Sequence, residues 1–253
     1  MPNELEDKVA IVTGAGQGVG QGIAYALAAR GCAVAVSGRT LSKCEITAKE
    51  IESRGGRAIA IEADVLSASD IESNLAATLS AFGRLDVLVN NAQVVPLGTL
   101  DQVTEEAFED GWRSGPLATF RFMKAAYPHL KETRGSIVNL GSSAALRWDS
   151  AGYGCYGAVK EAIRQLTRQA ASEWGPDGIR ANCILPLAMS PGMEGWIEHR
   201  PEEAQAFLST VPLGRVGECE TDIGNVVAFL ASDDAAYVTG QSLLLDGGQA
   251  RPA

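Results

Sequence analysis

The chain has 253 residues, 46% of them hydrophobic and 21% charged, which is enough for one large α/β domain with the balance of a globular protein. Its net charge of −10 argues against nucleic acid or an anionic membrane surface as partner, and no apolar run approaches membrane-spanning length. Five scattered cysteines without a Cys-x-x-Cys, two distant histidines (His129 and His199) and a polar, acidic N-terminus predict a reduced, cytoplasmic protein with neither a disulfide framework nor a metal site.

The first expected strand, 9–13, runs directly into Thr13-Gly14-Ala15-Gly16-Gln17-Gly18-Val19-Gly20 and a helix over 19–30. Glycines at such a junction let the chain turn sharply and let backbone N–H groups approach a pyrophosphate at the helix N-terminus. The strict G-x-G-x-x-G fingerprint is not met. What is present is T-G-x-x-x-G-x-G, with Gly14, Gly18 and Gly20 in register and Gln17 and Val19 between them, and its place after a strand predicts nucleotide binding. The second strand, 33–37, ends in Ser37-Gly38-Arg39-Thr40, where a carboxylate would hold the ribose of NAD. A guanidinium there suits the additional phosphate of NADP, so NADP is expected over NAD, although Gln17 brings no second positive charge to the glycine loop.

Further strands are expected at 58–61, 87–90, 136–140, 181–185 and 242–245, with helices near 42–54, 67–82, 105–131, 155–174 and 221–231. Strands that are apolar throughout and separated by helices imply a parallel sheet covered on both faces. The expected fold is therefore α/β, a single-domain Rossmann-type doubly wound parallel sheet of about seven strands in the order 3-2-1-4-5-6-7, spanning 1–253. The interval 186–216 breaks the rhythm with Pro186, Pro191, Pro201 and Pro212 and only a short helical piece near 202–209. It follows the sixth strand at the carboxyl edge of the sheet, where ligands bind in such folds, and is read as a substrate lid.

Tyr156 and Lys160 are four apart on an expected helix, so the hydroxyl and the ammonium can share one pocket. A free tyrosine titrates near ~10, and a cation held a few Å away favours the phenolate by roughly 1–3 units. That combination makes a general acid/base, with Ser142 as a neutral hydrogen-bond partner for a substrate oxygen and Ser143 as its competitor for that place. Tyr153 has Gly157 four residues on and cannot form the same pair.

These pieces, with Asp64-Val65 after the third strand, Asn90-Asn91-Ala92 after the fourth, Asn182 and Pro186 at the sixth and the terminal Asp246-Gly247-Gly248, resemble the short-chain dehydrogenase/reductase family from about residue 8 to 248. The resemblance implies hydride exchange between a nicotinamide cofactor and a secondary alcohol or ketone. By it, Asp64 meets the adenine amine and Asn91 the adenosine side, with Val65 and Met189 also on the cofactor. Tyr156 transfers the proton, Ser142 holds the substrate oxygen, and Lys160 clasps the nicotinamide ribose and lowers the Tyr156 pKa. The chain departs from the family's pattern in three places. Gln93 ends its Asn-Asn-Ala-Gly, Gly115 stands at its helix-kink asparagine with Ser114 as a possible substitute, and Pro191 replaces a threonine beside Ser190. Those departures favour an alternative reading, a nucleotide-binding scaffold that has lost turnover.

If the architecture holds, Val94, Val95, Leu146, Trp148, Tyr153, Met189, Met193 and Trp196 line the mouth, which suits a small-molecule, largely apolar carbonyl compound. An acidic acyl-carrier protein is disfavoured as partner by the charge of −10. Surplus apolar positions on the helices at 105–131 and 155–174, and the apolar run at 242–245, predict a homotetramer, or a homodimer if only one interface forms.

Overall fold

A computed structural model describes residues 4–147 and 151–250. Among these, seven parallel strands form one sheet: β1 (Val9–Thr13), β2 (Ala33–Gly38), β3 (Arg57–Glu62), β4 (Val87–Asn90), β5 (Ser136–Leu140), β6 (Arg180–Pro186) and β7 (Ser242–Leu245). Their order is β3-β2-β1-β4-β5-β6-β7, as the apolar runs and right-handed crossovers predict.

Helices cover both faces, which is why the central strands carry apolar residues without alternation. Along β1, Ala10 and Val12 pack toward α1 (Gly18–Ala28), α2 (Leu41–Ser53) and α9 (Asn225–Ala231), while Ile11 packs toward α3 (Ala68–Phe82) and the helices after β4 and β5. Ile23, Leu27 and Val227 fill the first layer; Ile71, Phe122 and Leu130 fill the second.

Two expected helices are interrupted. The segment 105–131 is α4 (Glu105–Trp112), a wide π turn (Arg113–Leu117) and α5 (Ala118–Thr133). Pro116 lies inside the wide turn, where its missing N–H and its ring displace the regular ladder. A second π turn (Cys219–Gly224) precedes α9. After β5, a tight turn (Ser143–Leu146) leads toward α6 (Gly154–Trp174).

The interval 186–216 holds two helices where one was expected. Besides α8 (Pro201–Leu208) there is α7 (Pro191–His199), capped by Ser190, whose Oγ accepts from Met193 N at 3.3 Å, with Pro191 in the first turn. The Trp196 and Phe207 rings meet edge to face at 5.7 Å and join the two helices. None of the described helices is long and apolar enough to cross a membrane.

Candidate active site

A cleft of about 510 Å³ opens at the carboxyl edge of the sheet, where β1 and β4 diverge to opposite crossovers. Gly14, Gln17, Gly18 and Val19 form one wall. Gly14 adopts φ +65°, and Gly20 is buried behind it: a Cβ on Gly20 would lie 2.5 Å from both Gly14 O and Asn91 Nδ2. Gly20 therefore shapes the loop from behind and is not a cleft wall. No side chain caps the N-terminus of α1 and no acid stands in its first turn, so its leading N–H groups face the cleft without a competing anion.

Asn91 lines the same cleft, but its amide is committed to the loop. Nδ2 donates to Thr13 O at 2.8 Å and to Gly14 O at 3.1 Å, while Thr13 Oγ1 accepts from Asn91 N and Ala92 N. Asp64 and Val65 form the opposite wall, with Asp64 Oδ1 accepting from Leu66 N at 3.0 Å. Arg39 and Lys43 line the cleft as well. Lys43 Nζ donates to Gln17 Oε1 at 2.6 Å, so the glycine loop does hold a second cation, one brought by α2. Glu62 ends β3 opposite Gly38 and is the neighbouring carboxylate. Met189 is not a cleft wall; its N–H donates to Gly217 O and its carbonyl accepts from Cys219, while Ser190, Pro191 and Gly192 beside it form the wall.

Ser142, Tyr156 and Lys160, the residues expected to handle the proton, are not among those that line this cleft. Of the two serines, Ser142 is the one that acts on the Tyr156 hydroxyl, favouring its ionised form, and its Oγ accepts from Ala144 N at 3.2 Å. Gly157 permits this approach: a Cβ there would lie 2.8 Å from Ala144 O, so only glycine lets the turn after Ser142 rest on α6. The Tyr153 ring lies tilted to that of Tyr156, with 6.3 Å between centroids. Lys160 is buried, with Nζ donating to Leu140 O at 2.6 Å and lying 5.6 Å from the Tyr156 ring centroid.

The expected depression of the Tyr156 pKa is absent in the unliganded chain. Burial pushes the phenol up to about 12, against the lowering effect of the Ser142 hydrogen bond and with the help of Tyr153. Burial also brings Lys160 down to about 8, opposed by nearby Cys183. Desolvation is the leading cause of both shifts, and the Lys160 ammonium is tied to the Leu140 carbonyl.

Gln93 and Gly115 are neighbours in space. A Cβ on Gly115 would lie 3.0 Å from Gln93 Nε2 and 2.8 Å from Val159 Cγ1. Ser114 is turned inward and buried, but its hydroxyl donates to Asp110 O at 2.6 Å and accepts from Val94 N at 3.0 Å, so it is occupied in fixing the loop. Val94 and Val95 line the cleft, and Val95, Leu97, Leu100 and Tyr153 are exposed near it. Leu146, Met193 and Trp196 are half-buried, and Trp148 lies outside the described residues. Lys43, Glu62 and the Gln93–Gly115 contact escape sequence reasoning, since each joins segments far apart in the chain.

Residues 14–250 match the family model described as enoyl-(acyl carrier protein) reductase. The chain is 40% identical over 252 residues to a 12α-hydroxysteroid dehydrogenase of a Clostridium species, covering 96% of this chain and 97% of that protein. It is 36% identical over 243 residues to the 3-oxoacyl-[acyl-carrier-protein] reductase FabG of Staphylococcus aureus, covering 95% and 97%. A solved structure of a putative short-chain alcohol dehydrogenase from Sinorhizobium meliloti 1021 superposes with a TM-score of 0.91 at 35% identity, covering 97% of each chain.

Proposed function

The chain belongs to the short-chain dehydrogenase/reductase family and is an oxidoreductase acting between alcohols and ketones, and we propose that it is NADP(H)-dependent, with Tyr156 as general acid/base for a bulky, largely apolar ketone. The observation that carries this reading is the convergence of Ser142, Tyr156 and Lys160 in a chain whose glycine-walled cleft also carries Arg39 and Lys43.

The residues present fit a nicotinamide dinucleotide. The uncapped start of α1 and the glycine wall suit a pyrophosphate, Asp64 and Val65 suit an adenine, and the Arg39–Lys43 pair suits an additional phosphate. When bound, such a cofactor supplies or accepts the hydride. The protein's own share is orientation and one proton. Ser142 hydrogen-bonds the substrate oxygen, and Tyr156 gives its proton to that oxygen in reduction or takes it in oxidation. Lys160 holds the ribose side and stabilises the phenolate that reduction leaves.

The exposed apolar groups about the mouth, Val95, Leu97, Leu100 and Tyr153, favour a large apolar compound, and a hydroxysteroid or its ketone is the model substrate. A carrier-protein-linked substrate is disfavoured by the net charge of −10. Five free cysteines agree with a reduced, cytoplasmic setting, and residues 186–216 act as the lid of a single domain. A scaffold without turnover is not favoured, because the proton-handling residues are intact.

The test is NADPH oxidation on a panel of steroid and other bulky ketones. Tyr156→Phe keeps the ring's packing and removes the hydroxyl, so turnover should fall by on the order of 10²–10⁴ while NADPH binding and the fold persist. Retention of more than about a tenth of parental turnover would remove Tyr156 from this role.

A further inference from the structure

The loop that leaves β4 is fastened at every second residue. Val94 N donates to Ser114 Oγ at 3.0 Å. Pro96 is buried against Gly111, where a Cβ would come 2.7 Å from the proline Cγ. Gly98 N donates to Gly152 O at 2.9 Å. The residues between these fastenings, Val95 and Leu97, are large, apolar and exposed. Burial thus alternates along the stretch as it does in an extended chain, where fixing one side presents the other. Val95 lines the cleft, so the presented side begins there.

The fastening at Gly98 joins this loop to the start of α6. Gly98 and Gly152 both have positive φ, +139° and +76°, and a Cβ on Gly152 would lie 3.3 Å from the Gly98 carbonyl carbon. Leu100 then rests on the first residue of α6: a Cβ on Gly154 would come 3.1 Å from Leu100 Cδ2. Tyr153 lies between Gly152 and Gly154 in the chain, its ring 6.3 Å from that of Tyr156. The two backbones, in contact without intervening side chains, therefore hold the apolar groups of one loop to the segment that carries the tyrosine pair. Apolar groups held together in the open beside a cleft mark a ligand surface. Its occupant follows from continuity: what rests between Val95 and the tyrosine pair is the part of a molecule next to its reacting oxygen.

We propose that Val95 and Leu97 form the substrate-specificity wall, against which the apolar body of a bulky ketone packs, and that Gly98 and Gly152 are positioning residues that clasp this wall to the start of α6. The proposal rests on the acid/base reading of Tyr156, which fixes where the ketone oxygen sits. A ketone that extends past the tyrosine pair gains contact with the wall, and a small one does not. Discrimination is therefore by size.

The test compares a steroid ketone with cyclohexanone in steady-state reduction by NADPH, and titrates the steroid ketone calorimetrically into the protein with NADP⁺ present. The double variant Val95→Ser, Leu97→Ser replaces two exposed groups, so the thermal midpoint should hold. KM and the dissociation constant for the steroid ketone should rise about tenfold, with KM for cyclohexanone within about twofold. Gly152→Asn sets a side chain against Gly98 in a backbone conformation that asparagine adopts more readily than most residues, and should raise the same two steroid constants about fivefold. Gly83 has nearly the same φ, +78°, with nothing near its Cβ position, so Gly83→Asn carries the backbone change alone and should leave both ketones unaffected. Equal rises for the two ketones, unchanged steroid constants in the double variant or in Gly152→Asn, or a Gly83→Asn that behaves like Gly152→Asn would each overturn the proposal. A parent protein that reduces no ketone would refute the functional reading, and the titration would still decide the wall. Weaker steroid binding in the variants upholds it; equal binding, or none in the parent, overturns it.

Discussion

Lys43 reaches back from α2 to the glycine loop, its Nζ 2.6 Å from Gln17 Oε1, and lines the same cleft as Arg39. Two cations from different elements there bear on cofactor choice. Arg39→Ala and Lys43→Gln should each weaken NADPH by on the order of tenfold or more and leave NADH nearly unchanged, since a hydrogen bond to a charged group contributes roughly 1.5–3 kcal/mol. Glu62→Gln should act in the opposite sense, because its carboxylate ends the neighbouring strand opposite Gly38. Equal affinities of the parent protein for NADPH and NADH, read by fluorescence titration, would remove the assignment.

The pH dependence of turnover follows from the two burial shifts. Tyr156, pushed up to about 12, is protonated throughout the neutral range and is ready to donate in reduction. Oxidation needs the phenolate, whose population grows about tenfold per pH unit below the pKa. Alcohol oxidation should therefore climb from pH 7 to 10. Ketone reduction should stay level to near pH 8 and decline above it, as Lys160 loses its proton at about 8. Initial rates in both directions in a constant-ionic-strength buffer series check this, and an oxidation rate that is flat over that span would contradict it.

Stability should carry the same signature at Lys160. Its folded pKa, brought down to about 8, lies below the ordinary lysine value of 10.5. Between those values the folded state binds fewer protons than the unfolded state, so the contribution of Lys160 to stability increases as pH rises through that window. It is lost as pH falls toward 8, and below 8 the buried ammonium is a constant cost. Lys160→Met should thus be more stable than the parent at pH 7, and its advantage should shrink from pH 8 to 10. Tyr156 has the opposite sign, its contribution falling as pH rises from the ordinary tyrosine value of 10.0 toward about 12, so the lysine is read apart from it up to pH 10. Thermal midpoints of the two proteins at matched pH would reveal a constant difference if the lysine were not responsible.

Assembly is the fourth expectation. Phe108, Trp112 and Phe120 on α4 and α5 are exposed, and on α6 Ala158 is exposed while Ala162 and Leu166 are half-buried. The other α6 positions, Ile163, Ala170 and Ala171, are already buried within the chain. Apolar groups left on one side of the layer, with β7 at the sheet edge, suit two two-fold interfaces. Light scattering at micromolar concentration should give about four times the 26.5 kDa chain mass. Twice that mass would leave one interface, and the chain mass itself would leave none.

How much of this could be read in the sequence depended on how local each feature is. Tyr156 and Lys160 share a helix face, and the glycine loop follows its strand directly, so a dozen residues hold the information. The sheet order follows from apolar strands plus handedness. Helix α7 was lost because Pro191, Gly192 and Gly195 read as loop, although Ser190-Pro191 is a cap followed by a first-turn proline. The tyrosine pKa ran opposite to expectation because spacing reports which groups are near but says nothing of the water they lose. Gln93 and Gly115 read separately as two defects, and only the fold brings them together as one contact.

Pro191 opens α7, and it also stands against the glycine loop: a Cβ on Gly18 would come 3.2 Å from Pro191 Cδ. Gly18, Ser190, Pro191 and Gly192 thus share the lining of one cleft, and bulk added at position 18 would push on the start of α7 as well as on its own loop.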